Sequence, residues 1–155
     1  MEIRLIAVGT KMPQWINQGF HEYAKRMPPE CKLLLQEISA GKRTKGADIV
    51  RLTRIEGEQI SAAIPKGSRT VALEVKGKMW STEQLADRMQ CWMEEGRDVA
   101  LIIGGPEGIE KTVSDAADEK WSISSLTLPH PLVRVILAEQ IYRAWSILRG
   151  HPYHR

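Results

Sequence analysis

Cysteine is scarce in this sequence, with Cys31 and Cys91 the only two among 155 residues. Their separation matches none of the usual spacings of zinc ligands or redox-active pairs. Isolated cysteines of this kind are typical of buried free thiols in a compartment that keeps thiols reduced. The sequence therefore excludes a disulfide scaffold, and we expect no metal cofactor.

Long hydrophobic runs are also absent, because no apolar stretch approaches the roughly 20 residues that span a bilayer. The N-terminal run MEIRLIAVG ends at Gly9 without a small-residue cleavage site, which predicts a strand rather than a signal peptide. Repeats, low-complexity tracts and linkers between domains are missing too. We expect one domain over residues 1–155, in the cytoplasm and without a membrane partner.

An excess of charge is the third missing feature, since the formal net charge is only +3. Such a balance is compatible with an anionic partner but does not require one. The glycine-flanked loop GKRTKG is basic, and its Lys42, Arg43 and Lys45 are candidate phosphate contacts for RNA. A solvated, mobile loop explains the same three charges equally well.

What the sequence does contain is an alternation of short apolar runs and amphipathic segments. The apolar runs predict strands at 2–9, 31–38, 70–75 and 99–103, and a strand or extended loop at 121–128. Amphipathic segments predict helices at 13–26, 48–64, 109–117 and 131–150, and another that begins at Ser81. Ser81 and Gln84 form the capping-box pattern that starts a helix.

The run VALII (99–103) contains no polar residue. A continuous apolar strand of this kind is typical of a parallel sheet that helices cover on both faces. Together with the alternation of elements, it predicts an α/β fold, a mostly parallel sheet sandwiched by helices.

The C-terminal helix is apolar around most of its circumference. Its main stripe includes Leu137, Ile141 and Trp145, and Val135 and Tyr142 widen it beyond the usual core-facing arc. Such a helix must be buried on more than one side. A homodimer through this helix provides the second side, and a central helix inside the monomer is the alternative.

The stretch LIIGGPEG (101–108) passes from a buried strand into a glycine-rich loop. It lacks the Lys-Ser/Thr pair and the spacing of a P-loop, and its glycines do not fit the dinucleotide pattern GxGxxG. Two other segments, LEVKG (73–77) and SSLTLPH (124–130), also close strands in this half of the chain. In open α/β sheets ligands bind beyond the carboxyl ends of the strands. Three weakly charged loops there would form a neutral, backbone-lined pocket that suits a nucleoside such as S-adenosylmethionine. Alternatively, the glycines only shape a turn.

The sequence IGGPEG…SLTLPHPLVRVILAEQIYRAW…RGHPYHR resembles the trefoil-knot, or SPOUT, class of S-adenosylmethionine-dependent RNA methyltransferases. Within that class it is similar to the RlmH family, which methylates N3 of a pseudouridine in 23S ribosomal RNA. The similarity covers essentially the whole chain, and LTLPHPLVR, AEQIYRA and PYHR carry its most specific part.

The resemblance implies a C-terminal trefoil knot and S-adenosylmethionine as the cofactor. It implies the assembled ribosome as the partner and ribosomal RNA as the substrate. It also implies that the cofactor-binding residues are Leu73, Gly104, Ile123, Ser124, Ser125, Leu126, Thr127 and Leu128. We add Gly105 and Gly108, because backbone without a Cβ permits close approach of a ligand.

The tail RGHPYHR collects residues suited to a uracil-type substrate. Tyrosine can stack on a base, arginine can hold an anion, and histidine can move a proton near neutral pH. Given the resemblance, we expect the tail to fold over the pocket of its own or of the neighbouring subunit, with His154, Tyr153 and Arg155 as candidate catalytic residues. A frayed C-terminus is the alternative. His130, beside the cofactor run, is either a site residue or a helix-entry residue bonded to backbone.

The leading hypothesis is therefore an S-adenosylmethionine-dependent rRNA pseudouridine-N3 methyltransferase that acts as a homodimer. A non-catalytic RNA- or ribosome-binding protein on the same scaffold is the alternative. A flavodoxin-like ligand binder is a third, which the absence of a phosphate loop disfavours.

Overall fold

The structure, a computed structural model, describes residues 1–155. Five strands form one sheet in the order β2-β1-β4-β3-β5, and every neighbouring pair is parallel. The strands are β1 (Glu2–Val8), β2 (Lys32–Ile38), β3 (Arg69–Met79), β4 (Val99–Ile103) and β5 (Glu119–Ser122). The predicted α/β class with a parallel sheet is confirmed.

Five α-helices and one short 3-10 helix surround the sheet. They are α1 (Gln14–Ala24), α2 (Ile49–Ala63), α3 (Thr82–Glu95), α4 (Lys111–Ala116), α5 (His130–Leu148) and the 3-10 helix Pro152–His154. The capping box predicted from the sequence opens α3, because the Ser81 hydroxyl accepts from the Gln84 amide while the Gln84 side chain accepts from the Ser81 amide. The Asp48 carboxylate caps α2 by accepting from the Arg51 amide.

The helices divide into two layers, one on each face of the sheet. In β4, Leu101 belongs to a core cluster with residues of α1, α3 and α5, whereas Ile102 packs with residues of α2 and α4. The same alternation separates Leu5 from Ile6 in β1. Because successive side chains of a strand point to opposite faces, a fully buried strand needs an apolar residue at every position. VALII therefore contains five buried residues in a row.

Two strands differ from the sequence prediction. β3 continues to Met79, past the predicted end at 75, and β5 covers 119–122 rather than 121–128. Beyond Ser122 the backbone turns out of the sheet, because the Ser122 hydroxyl donates to the Ser124 carbonyl and the Ser124 hydroxyl accepts from the Leu126 amide. Hydroxyls that bond to nearby backbone groups favour turns over ladders.

Helix α5 lies between α1 and α3, and none of its residues is fully exposed. Its approach to α1 depends on Gly19, where a Cβ would lie 3.1 Å from the Val135 methyl groups. Half-buried apolar residues remain on its N-terminal half, among them Leu132 and Ile136.

Three further expectations concern cysteines, metal and membrane. Cys31 is buried as expected and its pKa is raised to about 11 by burial, but Cys91 is exposed on α3, so the expectation of a buried thiol is wrong there. Cys91 lies outside the face of α3 that Leu85, Met89 and Trp92 bury. No group of three or more metal-ligating side chains is close enough to hold an ion. No helix combines the length and apolarity that crossing a bilayer requires.

Candidate functional site

A cavity of about 580 Å³ opens at the carboxyl edge of the sheet, where β3, β4 and β5 end and α5 begins. This is the location expected for a ligand in an open parallel α/β sheet. The volume falls in the range of small-molecule sites. Eighteen residues line it, half of them hydrophobic: Leu73, Glu74, Val75, Lys76, Ile103, Gly104, Gly105, Glu107, Gly108, Ile109, Trp121, Ser122, Ile123, Ser124, Leu126, Leu128, His130 and Val133.

The glycine loop after β4 forms one wall of the cavity as a closed turn. The Gly108 amide donates to the Gly105 carbonyl over 2.9 Å, and Gly108 has a φ of +85°. A Cβ at Gly104 would lie 2.3 Å from the Gly108 carbonyl carbon, far inside van der Waals contact. Only glycine at position 104 lets the two arms of the turn approach this closely.

A bulge in β3 forms the opposite wall. Both Leu73 and Lys78 pair with Trp121 of β5, so residues 74–77 are displaced from the ladder. Glu74, Val75 and Lys76 in this bulge line the cavity. A Cβ at Gly77 would lie 2.7 Å from the Trp121 backbone, so the return to the ladder also requires glycine. Sequence reasoning missed the bulge, and Gly77 in the strand run LEVKG was its only signal.

Trp121 supplies the floor between these walls. It is 3% exposed and stacks on Trp80 with ring centroids 5.0 Å apart. Its indole Nε1 is buried without a hydrogen-bond acceptor in the chain. An unpaired buried donor is costly. Sequence reasoning did not select Trp121.

The cavity brings together most of the predicted cofactor residues, which come from three distant segments. Leu73, Gly104, Gly105, Gly108, Ile123, Ser124, Leu126 and Leu128 all line it. Ser125 and Thr127 do not line it and are exposed on the loop that follows β5. The predicted pocket thus exists as a geometric feature of the fold.

The basic loop is tied to the glycine loop through Arg43. Its guanidinium donates to Glu56 of α2 through two nitrogens, one of them over 3.0 Å, and to Glu107 over 2.7 Å. These hydrogen bonds, to Glu56 first and Glu107 second, raise the pKa of Arg43, and Arg43 in turn lowers the pKa of Glu107. Glu56 is only 3% exposed, so Arg43 neutralises a buried carboxylate.

The expectation that Arg43 contacts RNA phosphate is therefore not supported by its geometry. Its guanidinium also donates to the Gly41 carbonyl over 2.8 Å, which leaves it fully engaged inside the chain. Lys42 and Lys45 are exposed and form none of the chain's ion pairs. The loop thus offers two lysines to a partner, whereas its arginine supports the fold.

Comparison with known proteins decides the family. Residues 1–154 match the family of predicted SPOUT methyltransferases. The chain belongs to the SPOUT methyltransferase family. The crystal structure of a candidate methylase family protein from Neisseria gonorrhoeae is similar in fold, with a TM-score of 0.57. The alignment covers 90% of this chain and 81% of that chain at 14% identity, which supports the shared fold alone.

In this SPOUT chain the C-terminal tail lies away from the cavity of its own subunit. Tyr153 donates through its hydroxyl to Glu139 over 3.2 Å and packs on Tyr142 with centroids 4.6 Å apart. Burial, followed by the Glu139 carboxylate, raises the pKa of Tyr153 to about 12. Neither Tyr153, His154 nor Arg155 lines the cavity. The expected coverage of the subunit's own pocket by its tail is not seen, because the tail turns back onto the C-terminal half of α5.

His130, the first residue of α5, does line the cavity of this SPOUT fold. Its Nε2 faces the turn after β1, 3.4 Å from where a Cβ at Gly9 would lie. Burial, and next the positive charge of Arg134, lower the pKa of His130. Of the two interpretations of His130 drawn from the sequence, the structure favours a cavity residue over one bonded to backbone.

Proposed function

We propose that this chain transfers a methyl group from S-adenosylmethionine to RNA, and specifically to N3 of a pseudouridine in 23S ribosomal RNA on the assembled ribosome. The observation that carries the proposal is a weakly charged, backbone-rich cavity at the carboxyl edge of the sheet, in a chain of the SPOUT methyltransferase family. A ribosomal substrate implies that the protein works in the cytoplasm.

The cavity residues fit an adenosine-type cofactor. The glycine turn at Gly104 and the loop 123–128 present backbone groups, which suit an uncharged nucleoside better than a phosphate. Glu74, which accepts a hydrogen bond from the Ser114 hydroxyl, supplies the carboxylate that a cationic methionyl group requires. We assign cofactor binding to Leu73, Gly104, Gly105, Gly108, Ile123, Ser124, Ser125, Leu126, Thr127 and Leu128.

The bound cofactor supplies an electrophilic methyl group on sulfur, so the protein's task is alignment and proton removal. The chain aligns the donor by burying it between the β3 bulge and the glycine turn. It also excludes water from the transfer through the apolar side chains Ile123, Leu126 and Val133, which line the cavity. No residue group in the fold is arranged to hold a metal, and in-line methyl transfer needs none.

The substrate side lies at the β2-β1 end of the same sheet edge. The basic loop follows β2, and another turn follows β1. Strand β1 is the neighbour of β4 in the sheet, and Arg43 of the basic loop donates to Glu107 of the β4 loop. Lys42 and Lys45 are exposed there and can contact phosphates. Two lysines provide modest affinity, so a large structured RNA partner fits better than a short free RNA.

We further propose that the active form is a homodimer through α5, in which the tail of one subunit completes the cavity of the other. Support comes from the apolar side chains that a single chain leaves accessible, notably Trp15 of α1 at 59% and Leu126 beside the cavity at 68%. Helix α5 has 19 residues. It therefore separates its cavity end from its tail end by about 28 Å. The candidate catalytic residues are Tyr153, His154 and Arg155, and in a dimer they lie nearer to the partner's cavity than to their own. The proposal also includes a C-terminal trefoil knot.

Two measurements test the proposal independently. Calorimetric titration with S-adenosylhomocysteine is expected to show saturable binding, and absence of binding at near-millimolar ligand would sink the methyltransferase assignment. Mass spectrometry of ribosomes from a deletion strain is expected to lack one methylpseudouridine in 23S rRNA, which reappears when the purified protein is added. Cofactor binding with an unchanged modification profile would refute the RNA target alone. RNA binding without cofactor binding would instead support a non-catalytic protein.

A further inference from the structure

Methyl transfer to an imide nitrogen needs a group that removes the nitrogen-bound proton, and the cavity contains few candidates. Its charged or titratable lining residues are Glu74, Lys76, Glu107 and His130. Glu107 is paired with Arg43, and Glu74 accepts from the Ser114 hydroxyl. Lys76 is a cation near neutral pH. His130 and Lys76 form no side-chain hydrogen bond or ion pair in the chain, and of these two only the imidazole of His130, whose pKa is lowered by burial, can accept a proton at neutral pH.

His130 lies at the boundary between the cofactor side and the substrate side of the sheet edge. The cavity surrounds the ends of β3, β4 and β5, and the basic loop follows β2 at the other end of the sheet. The turn after β1 separates these regions, and His130 Nε2 faces that turn at Gly9. Gly9 has a φ of +122° and no Cβ, which lets the imidazole, the Met12 methyl group and Arg134 lie close to this turn, and a ligand has access to His130 through the cavity that it lines.

Arg134, one helical turn further along α5, fixes the position of His130. Arg134 is completely buried, and its guanidinium donates to Glu37 over 2.7 Å and to the Gly9 carbonyl over 2.9 Å. These bonds hold the first turn of α5 against the ends of β1 and β2. The buried guanidinium also opposes a second positive charge nearby, so the imidazole stays neutral at neutral pH.

Charged groups on α5, at the end of β2, in the cavity and at the β1 turn surround this imidazole. On α5 itself Arg134 dominates, and Glu37 at the end of β2 is bound to Arg134. The remaining charged groups at the cavity and the β1 turn are Glu74, Lys76, Glu107 and the exposed Lys11. None of these contacts His130, so its neutral form depends on burial and Arg134.

We propose that His130 is a catalytic residue that accepts the N3 proton of the target base during methyl transfer. The inference rests on the proposed function. The neutral imidazole takes the proton from N3, and the electrons of that N–H bond become the lone pair that attacks the methyl carbon. The methyl–sulfur bond breaks and its electron pair stays on sulfur as S-adenosylhomocysteine. The resulting imidazolium returns its proton to solvent.

Tyr153 cannot replace His130 in this role while it lies on α5, because a phenol with a pKa near 12 is a poor proton acceptor at neutral pH. The tail instead supplies stacking and anion contacts from the partner subunit. His130 then removes the proton, whereas the tail contacts the substrate, and variants of His130 and of the tail can distinguish the two roles.

The test uses single-turnover methylation of ribosomes from a deletion strain, over roughly three pH units from about pH 5.5 to about pH 8.5. The variants are His130→Asn and His130→Gln, with His21→Asn, an exposed histidine of α1, as the matched control. Calorimetry with S-adenosylhomocysteine reports cofactor binding, and NMR titration of the histidine rings in the free protein reports protonation. His130→Asn identifies the His130 signal.

The expected result is a rate loss of about 10²–10⁴-fold in both variants, with cofactor affinity within about tenfold of wild type. The wild-type rate is expected to level off near neutral pH. The variant rates should instead rise about tenfold per pH unit, as hydroxide replaces the missing base. The NMR midpoint of His130 is expected below the ordinary value of 6.5.

Three outcomes overturn the inference. Full activity in either variant, or an unchanged pH profile, refutes the role of His130 while the methyltransferase function stands. A midpoint above 6.5 in the wild-type protein refutes the neutral imidazole, and this measurement is independent of whether the variants fold. Absence of both cofactor binding and methylation in the wild type refutes the proposed function, and with it the role of His130.

Discussion

At the residue scale, a charged side chain in a loop can either contact a partner or support the fold, and amino-acid composition does not distinguish the two roles. Arg43 and Lys42 are adjacent in the same basic loop, yet only Arg43 reaches the buried Glu56 and the cavity residue Glu107. Glu107 lies 64 positions away in sequence, so no local pattern could have revealed the pairing. Arg43 therefore links the basic loop to the glycine loop.

Replacing Arg43 by Met is expected to destabilise the protein by about 2–3 kcal/mol at pH 7, because it leaves the Glu56 carboxylate buried without its partner. Arg43 lowers the folded-state pKa of Glu107 below 4.5, so the part of the stability that comes from the Arg43–Glu107 pair is present above pH 4.5 and is lost as pH falls through the lower value. Urea unfolding at pH 7 and near pH 3 should show a smaller penalty in acid. Lys42→Met is the control, expected to change stability little but to weaken RNA binding. A stable R43M with weakened RNA binding would show that Arg43 contacts RNA after all.

The glycine turn gives a second prediction at this scale. Gly104→Ala is expected to lower cofactor affinity by more than about tenfold, because its methyl group would lie 2.3 Å from the Gly108 carbonyl carbon and force the turn open. Gly67→Ala is the control for a general loss of stability, since Gly67 has a positive φ that strains alanine, has open space around it and lies outside the cavity. Calorimetry should show normal binding for the control. Equal losses in both variants would mean that general destabilisation, rather than the turn, is responsible.

At the element scale, local signals were sufficient where the structure is regular. The run VALII and the Ser81–Gln84 pair each determine their element from a few neighbouring residues. The β3 bulge could not be predicted, because the register shift depends on Trp121 of β5, more than 40 residues away. The predicted length of β5 was wrong for a related reason. WSISSLTL alternates like a strand, but its serine hydroxyls bond to the nearby backbone instead.

The capping box provides an element-scale prediction. Ser81→Ala is expected to destabilise the protein by about 1 kcal/mol, because the Gln84 amide at the start of α3 loses its acceptor. Ser61→Ala, an exposed serine inside α2, serves as the control and should be neutral or slightly stabilising, since alanine is the better helix former. Urea denaturation measures both. Equal stability of the two variants would show that the reciprocal hydrogen bonds contribute little.

At the scale of the whole molecule, the cavity of one subunit lacks the three tail residues that the family resemblance marks as candidates for catalysis. The cavity lies at the start of α5, and Tyr153 lies on the other half of that helix. The sequence reveals both sets of residues but not the distance between them, because the path of the last five residues depends on contacts with Tyr142 and Glu139. Two-fold symmetry offers a solution, since an isologous interface places each tail near the other subunit's cavity.

Mixing two inactive variants distinguishes a partner's tail from a subunit's own. One variant, L126E/L128E, places charge in the cavity and is expected to bind no cofactor, while its tail remains intact. The other, H154A/R155A, keeps the cavity and leaves Tyr153 packed on Tyr142. If each tail serves the neighbouring cavity, a mixed dimer contains one complete site, and random exchange of subunits should restore about a quarter of wild-type methylation. If each tail serves its own subunit, every site in the mixture lacks one component and activity stays absent. Wild type exchanged with L126E/L128E calibrates the extent of mixing, and sedimentation verifies that dimers form. Activity of H154A/R155A on its own would remove the tail from the catalytic site altogether.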